Sequence, residues 1–278
     1  MKIKTGMIGI SSGNGHAYSW SAIVNGFNEK EMSKCRFKVI PQYLKLYKNE
    51  PLNKKIIISH IWTQNYKETL KISKSSNITN VCKDLKGLIE SVDCIIFARD
   101  DRSFLKKFSN LLINSKKPIF IDKPIATSIN ELDKILSKQI YKSQIFSASF
   151  SRFCNETRLT KTDKIKIGNL TSISCVGPKN SKKYLVHLVD PIINNFCSKK
   201  KIFKIKRTKL KKAKKTEVEW DDGFKTIFIT TGEKSTKFKF TFKGVKGIES
   251  KIITNPYSGF KKSLIYFYEN MYKDVFHK

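Results

Sequence analysis

A glycine-rich turn follows the first apolar segment of the chain and has the composition of a phosphate-binding turn. Residues 9–16 read GISSGNGH, and a helical pattern begins soon after them. Glycines let a backbone approach a pyrophosphate, and the start of the next helix offers N–H groups and a positive dipole end. The usual third glycine is replaced by Tyr18. The turn predicts a dinucleotide site, with a plain glycine-rich turn as the alternative. Its predicted cofactor contacts are Gly9, Ser12, Gly13, Asn14, Gly15 and His16.

The second apolar segment ends without the acidic residue that usually binds the ribose hydroxyls of NAD. Trp62, Thr63 and Gln64 stand at this end, and Lys67 follows closely. Thr63 and Gln64 with Lys67 tolerate a 2′-phosphate better than a carboxylate would, so the sequence favours NADP slightly over NAD. Thr63 is expected to contact the cofactor, and Trp62 either packs in the core or covers the adenine.

A lysine follows a later apolar segment in the sequence Asp122-Lys123-Pro124. Residues 118–122 are predicted to form a strand, and ligands bind at the carboxyl ends of strands in open α/β sheets. Lys123 can there polarise a carbonyl or alcohol oxygen, and both Asp122 and Lys123 are predicted to contact the cofactor. The alternative is one more surface lysine in a lysine-rich chain. The preceding strand ends in Ala98-Arg99-Asp100, where Ala98 and Arg99 are predicted cofactor contacts, and Arg99 and Asp100 are expected at the mouth of the same cleft.

The elements that must position these groups alternate between strands and helices over the first 150 residues. Predicted strands cover residues 3–10, 55–62, 93–98, 118–122 and 144–150. Predicted helices cover residues 18–27, 66–73, 103–113 and 129–138, the last starting with a capping box between Ser128 and Glu131. Residues 34–54 interrupt the alternation as an insertion. This order is typical of a doubly wound parallel sheet, the Rossmann type of α/β fold.

The second half of the chain has a different order of predicted elements, with turns rather than helices between the apolar segments. Predicted strands cover residues 171–176, 201–208, 225–231 and 237–243, and a closing helix covers residues 257–272. Polar and apolar residues alternate within these strands, as in an antiparallel sheet with one wet face. We therefore expect a Rossmann domain over residues 1–124, completed by 125–150, and an α+β domain with an open, mainly antiparallel sheet over residues 151–278.

Three features together resemble the Gfo/Idh/MocA family, named after glucose–fructose oxidoreductase and inositol dehydrogenase. They are the glycine-rich first turn, the Asp122-Lys123-Pro124 step and the later His187-Leu188-Val189-Asp190. The resemblance covers nearly the whole chain in order and spacing. It implies an NAD(P)-dependent oxidoreductase that transfers hydride to or from a sugar-like or nucleotide-sugar alcohol or ketone.

The resemblance also implies roles for single residues. Lys123 would orient the reacting hydroxyl, His187 would exchange its proton, and Asp190 would hold His187 or a substrate hydroxyl. Asp190 followed by Pro191 also fits the start of a helix, in which case Asp190 caps that helix. Lys183 stands where the family often has an aspartate. At Arg99 the chain also lacks the Pro- or Asn-containing turn with a histidine that the family usually has, and Arg99 there fits a local ion pair as well. These two departures leave a second interpretation open: a non-catalytic dinucleotide- or sugar-binding regulatory protein.

The net charge of +32 allows two interpretations. Only six of the 55 basic residues are arginines, whereas proteins that read nucleic acids favour arginine. A composition bias therefore explains the charge better than a nucleic-acid partner. The basic field would also steer an anionic substrate, with Arg152 and Lys183 as candidate contacts.

Scattered cysteines and the lack of a signal peptide or membrane span indicate a cytoplasmic protein, and no metal is expected. The resemblance implies a dimer or tetramer formed through the C-terminal sheet.

Overall fold

The computed structural model describes residues 2–271, and within them the chain forms two compact units. The first unit contains residues 2–147 and 263–271, and the second contains residues 148–262. Contacts near the C-terminus explain why the last segment belongs to the first unit. The Tyr268 hydroxyl lies 2.9 Å from Thr5 Oγ1, and the Phe267 ring packs 5.6 Å from the Phe120 ring.

The first unit alternates strands and helices along the chain. In order these are β1 (Ile3–Ile8), α1 (His16–Asn25), α2 (Glu29–Ser33), α3 (Val39–Leu44), β2 (Ile56–Trp62), α4 (Tyr66–Ser75), β3 (Asn80–Val81), α5 (Leu85–Glu90), β4 (Cys94–Phe97), α6 (Arg102–Asn114), β5 (Ile119–Ile121), α7 (Ile129–Leu136) and β6 (Ile145–Phe146). The strands form one parallel sheet in the order β3-β2-β1-β4-β5-β6. This topology confirms the predicted doubly wound α/β fold. The strand order reverses beside β1, where ligands bind in such sheets.

Several elements of the first unit differ from the sequence prediction. β1 ends at Ile8 rather than at residue 10, and β6 has only two residues where seven were predicted. β3 and α5 are missing from the prediction because two and six residues are too short to show a period. The capping box at α7 is half formed. Ser128 Oγ accepts the Glu131 N–H, but the Glu131 carboxylate accepts the N–H of Thr127 instead of that of Ser128.

The second unit begins with short 3-10 helices at Phe150–Phe153 and Asn155–Thr157. It continues with α8 (Lys161–Ile167), β7 (Leu170–Gly177), α9 (Ser181–Tyr184), α10 (Val186–Ile192), β8 (Ile202–Lys209), β9 (Lys214–Trp220), β10 (Lys225–Thr230), β11 (Lys239–Gly244) and β12 (Ile248–Ile252). The last helix, α11 (Pro256–Tyr266), connects this unit to the first and is followed by a π-helical turn at Phe267–Met271.

The sheet of the second unit has the order β12-β11-β7-β10-β9-β8. Four of its five strand pairs are antiparallel, and β7 pairs with β10 in parallel, so the predicted, mainly antiparallel sheet is confirmed. β9 and β12 are absent from the prediction. β9 reads KKTEVEW, and its charged residues hide the alternation that marks a strand.

One face of this sheet is buried and the other is partly exposed. Ile173 and Cys175 on β7 are fully buried beside Phe240 and Phe242 of β11, with which they pair directly. The alternate residues of β7 are only half-buried. β8 is exposed along most of its length.

Candidate functional site

The glycine-rich turn connects β1 to α1 and presents an open backbone on one side. Gly9 lies where a Cβ would come 2.6 Å from Ala17 Cβ, so this glycine allows the turn to pack closely against α1. Gly13 has a φ of +75°, and a Cβ there would meet nothing within 4 Å. Ser12 and Gly13 are exposed. The open side of the turn is therefore at residues 12–13.

The other side of the turn is covered by the insertion that the sequence places between α1 and β2. A Cβ on Gly15 would lie 2.6 Å from Ile40 Cδ1 and 2.8 Å from Phe37 Cδ2. Glycine is needed at position 15 because these side chains pack directly on the backbone. The insertion is thus a wall of the candidate site.

A buried carboxylate at the end of β5 joins the turn to the candidate catalytic lysine. Asp122 Oδ2 accepts hydrogen bonds from Asn14 Nδ2 and His16 Nδ1, both at 2.6 Å. Asp122 Oδ1 accepts the Lys123 N–H at 2.8 Å and lies 3.6 Å from Lys123 Nζ. Four residues predicted to form the site are thereby brought together within the first unit. Lys123 is mostly buried, with 12% of its side chain exposed, so the surface-lysine interpretation does not fit.

The Asp122 carboxylate is ionised in this environment. Burial alone would raise the pKa of Asp122, but the charges of His16 and Lys123 and the hydrogen bonds from His16 and Asn14 hold it well below its usual range. The His16 ring stacks on Trp20 at 4.7 Å, and Trp20 stacks on Phe120 at 4.9 Å. Trp20 is therefore a packing residue that supports His16.

Arg99 forms the local ion pair that the sequence left open as an alternative. It is 4% exposed, and its guanidinium forms a two-bond pair with Asp101. It also donates to Gln64 Oε1 and to the carbonyl of Gly9, so it lies beneath the turn. Ala98 is fully buried, and its N–H donates to the carbonyl of Ile8. These two residues support the turn rather than line an opening.

The residues at the end of β2 are also engaged by the protein itself. The Thr63 hydroxyl is buried and lies 2.8 Å from the hydroxyl of Thr69. Trp62 packs on Phe104 and donates from Nε1 to the carbonyl of Lys83. The Gln64 side chain bonds both the N–H and the carbonyl of Ile10. Through Gln64, the end of β2 therefore holds the glycine-rich turn in place.

A cleft of about 400 Å³ opens on the exposed side of the turn. Its lining residues come from the turn, the insertion and the end of β2, and are Ile10, Ser11, Ser12, Gly13, Arg36, Phe37 and Gln64. The size lies within the range of small-molecule sites. The sequence did not predict Arg36 as a site residue, because nothing in the pattern of the insertion indicates that the insertion folds back onto the turn.

The second unit holds the His187 candidate in an aromatic pocket. His187 is 5% exposed and is surrounded by the rings of Phe150, Tyr184 and Phe238. Its Nδ1 lies 2.7 Å from Ser149 Oγ. A hydroxyl partner at Nδ1 fixes the orientation of the imidazole.

Asp190 lies inside α10, so the interpretation that it caps the start of a helix is wrong. Its carboxylate pairs with Arg152 through both Nε and Nη2 and accepts the Ser149 N–H at 2.8 Å. Ser149 therefore links Asp190 to His187. Arg152, predicted to bind a substrate anion, is paired with Asp190.

Lys183 lies on α9, where its side chain is exposed and its N–H donates to Asn180 Oδ1.

Between residues 2 and 271 no cluster of three or more His, Cys, Asp or Glu side chains is placed to bind a metal ion. Over the same residues no helix has both the length and the apolar character needed to cross a membrane.

Comparison with known proteins identifies the fold. No protein-family model and no curated protein matches the sequence. Among solved structures, the myo-inositol 2-dehydrogenase of Lactobacillus plantarum has a TM-score of 0.70 and 12% identity, over 98% of this chain and 90% of that one. The scyllo-inositol dehydrogenase of Lactobacillus casei, with bound NAD(H) and scyllo-inositol, has a TM-score of 0.70 and 14% identity, over 99% and 90%. The myo-inositol dehydrogenase of Lactobacillus casei, in complex with NAD(H) and myo-inositol, has a TM-score of 0.69 and 13% identity, over 99% and 87%.

Proposed function

From a two-domain fold shared with inositol dehydrogenases, we propose that this chain is a nicotinamide-dependent oxidoreductase acting on a sugar-like or polyol alcohol, or on the matching ketone. The observation that carries the proposal is the Asp122 carboxylate, which joins the glycine-rich turn to Lys123. Asp122 thereby fixes two groups at the same edge of the parallel sheet. One is a turn that is open to phosphate, and the other is a lysine that can polarise an alcohol oxygen. The NAD(H) and inositol held by solved proteins of this fold support the same reaction class.

The turn fits the phosphate part of a dinucleotide. Ser12 and Gly13 are exposed, and the space beside Gly13 is open. A bound dinucleotide would supply the hydride donor or acceptor at its nicotinamide ring. The residue after β2 is Thr63 rather than a carboxylate, so we propose NADP as the preferred form.

Lys123 is assigned to the substrate oxygen. Its ammonium group would stabilise the negative charge that develops on that oxygen during oxidation of an alcohol. The Asp122 carboxylate lies 3.6 Å from Nζ and holds the ammonium group in place. In this arrangement Lys123 orients and polarises the hydroxyl, and Asp122 positions Lys123.

His187 is assigned to the exchange of the hydroxyl proton. Imidazole is the usual proton carrier near neutral pH. Ser149 engages Nδ1 and so sets the orientation of the ring, and Asp190 holds the Ser149 backbone. Asp190 is therefore proposed as a positioning residue for His187, with Arg152 as its counter-ion.

The substrate class can be narrowed by charge. A chain with a net charge of +32 attracts anions, and an anionic substituent would speed the encounter. We propose that a nucleotide sugar, or another sugar bearing phosphate, is turned over faster than an uncharged polyol, with the exposed Lys183 contacting the anionic group.

The proposal is tested by incubating the purified protein with NADP⁺ or NAD⁺ and a panel of inositols, sugars and nucleotide sugars. Absorbance of the reduced nicotinamide reports turnover. We expect turnover with at least one alcohol and a fall in kcat of about 100-fold or more in Lys123→Met. Lys86→Met, an exposed lysine on α5, is the matched control and should retain full activity. Dinucleotide binding without turnover on any substrate would instead support the non-catalytic regulatory alternative.

Homo-oligomerisation through the second unit's sheet is also proposed. Val176, Ile227 and Ile229 alternate with buried neighbours and leave apolar surface half-exposed on β7 and β10. Such surface is commonly covered by a second subunit. Light scattering should give a dimer or tetramer mass, which Ile227→Glu should reduce. A monomer at micromolar concentration would contradict this proposal.

A further inference from the structure

We propose that Arg36, carried by the insertion between α1 and β2, binds the 2′-phosphate of NADP and makes the protein selective for NADP over NAD. The inference rests on the proposed function and adds to it a specificity-determining residue. Arg36 lies between α2 and α3, outside the elements that usually read the ribose in this type of sheet.

The insertion is fixed against the glycine-rich turn, which fixes Arg36 in turn. The neighbouring Phe37 and Ile40 pack on Gly15 so closely that a Cβ there would meet them at 2.8 and 2.6 Å. The Arg36 guanidinium carbon lies 4.9 Å from the centre of the Phe37 ring, a cation–π contact. Arg36 is therefore held at a fixed position relative to the glycine-rich turn.

Arg36 is the only charged residue that lines the cleft within residues 2–271. The opposite side consists of Ser11, Ser12 and Gly13, and the end of β2 contributes Gln64. The Gln64 amide already bonds both backbone groups of Ile10, so this side chain is committed to holding the turn. A phosphate entering the cleft from the ribose side therefore has the Arg36 guanidinium as its cationic partner.

Glu68 on α4 orients Arg36 without neutralising its exposed end. Arg36 Nε lies 3.5 Å from Glu68 Oε1, while 55% of the arginine side chain remains exposed. The Tyr18 hydroxyl also donates to Glu68, at 3.0 Å. Burial and the Glu68 charge raise the pKa of Tyr18 well above its usual value, so the phenol stays protonated and keeps donating. Glu68 is thus a positioning residue that holds the Arg36 guanidinium at its Nε atom.

The phosphate contacted by Arg36 could be the 2′-phosphate or the bridging diphosphate, and we assign the 2′-phosphate. The proposed function assigns the diphosphate to the exposed backbone of residues 12–13. Arg36 lines the same cleft as Gln64, which follows the strand whose end reads the ribose in dinucleotide-binding sheets. A guanidinium there discriminates between NADP and NAD because only NADP carries a phosphate at that point.

The test measures dissociation constants by calorimetry for NADPH, NADH, adenosine 2′,5′-bisphosphate and 5′-AMP. In Arg36→Ala we expect the Kd of NADPH and of the bisphosphate to rise about 10- to 100-fold. The Kd of NADH and 5′-AMP should change by less than about 2-fold, and Arg36→Lys should be intermediate for NADPH. Lys38→Ala removes the same charge from the same exposed segment and should leave all four values unchanged.

Four outcomes would overturn the inference. Equal weakening of NADPH and NADH in Arg36→Ala would place Arg36 on the diphosphate. Unchanged NADPH binding in that variant would remove Arg36 from the site. Wild-type protein that binds NADH but not NADPH would refute NADP selectivity and leave the proposed oxidoreductase function standing. Wild-type protein that binds neither dinucleotide would overturn the proposed function itself and this inference with it.

Discussion

His16 Nδ1 and Asp122 Oδ2 lie 2.6 Å apart although 106 residues separate them in the chain. His16 begins α1 and Asp122 follows β5, so this contact ties the glycine-rich turn to a different strand of the parallel sheet. Because the carboxylate is ionised, Nδ1 is assigned as the donor. The same carboxylate accepts the Lys123 N–H, which makes Asp122 the group shared by the turn and the lysine.

Asp122→Asn should destabilise the first unit. The substitution removes a buried negative charge that faces His16 and Lys123, and hydrogen bonds to charged groups contribute about 1.5–3 kcal/mol. Urea unfolding near pH 7 should show a loss of this order for Asp122→Asn. Asp93→Asn, at a partly buried aspartate before β4, is the comparison and should cost less.

The Asp122 contribution should also depend on pH with a definite sign. The folded pKa lies below the ordinary value of 3.8, so the stabilisation is full above that value and is lost as pH falls through the folded pKa. The difference in unfolding free energy between wild type and Asp122→Asn should therefore be constant from pH 7 to about 5 and shrink below about 4. A difference that grows on acidification would show that the carboxyl is protonated in the folded protein.

Gly13→Ala and Gly15→Ala should impair different properties, because only Gly15 is packed against other side chains. A Cβ on Gly15 meets Phe37 and Ile40, and overpacking costs about 1–3 kcal/mol. A Cβ on Gly13 meets nothing, so only its positive φ is unfavourable, at a cost of about 1–2 kcal/mol. We expect Gly13→Ala to lose dinucleotide affinity because its methyl group enters the space for phosphate. Gly15→Ala should lower the free energy of unfolding by crowding Phe37 and Ile40, and an unchanged stability of Gly15→Ala would contradict the packing of the insertion on the turn.

Arg152 and Asp190 should behave as one unit in the second domain. A double-mutant cycle with Arg152→Ala and Asp190→Asn should give a coupling free energy of about 1–3 kcal/mol, because their charge-assisted pair has two bonds. If Asp190 acts by positioning Ser149 and His187, Arg152→Ala should lower kcat as well as stability. Additive effects, or a change in KM alone, would indicate that Asp190 contacts substrate directly.

Much of the fold could be predicted from the sequence because the longer elements carry clear periods. β2 and β10 were predicted to within one residue at each end, since their apolar residues stand between turn residues. β3 has two residues and β9 is mostly charged, so neither shows a pattern. The residue patterns identified the glycine-rich turn and Lys123 as candidates, and the resemblance added His187.

The partners of these residues could not be predicted, because they depend on distances that only the folded chain defines. Nothing in the sequence around Asp190 indicates Arg152, which lies 38 residues away, or the Ser149 backbone. The insertion carries no sign that Phe37 covers Gly15 and so places Arg36 in the cleft. Arg99 was ambiguous because Asp100 and Asp101 follow it directly, and the pairing with Asp101 is decided by the end of β4.

Binding of a nicotinamide dinucleotide at the glycine-rich turn is tested most directly by titration of the purified protein. Binding of NADPH and NADH is followed by calorimetry in wild type and in Gly13→Val, whose side chain would fill the open space beside the turn. We predict saturable binding of one dinucleotide per chain, with a Kd on the order of micromolar, and loss of that binding in a Gly13→Val protein that still unfolds cooperatively. No saturable binding of either dinucleotide, or unchanged affinity in Gly13→Val, would contradict the account.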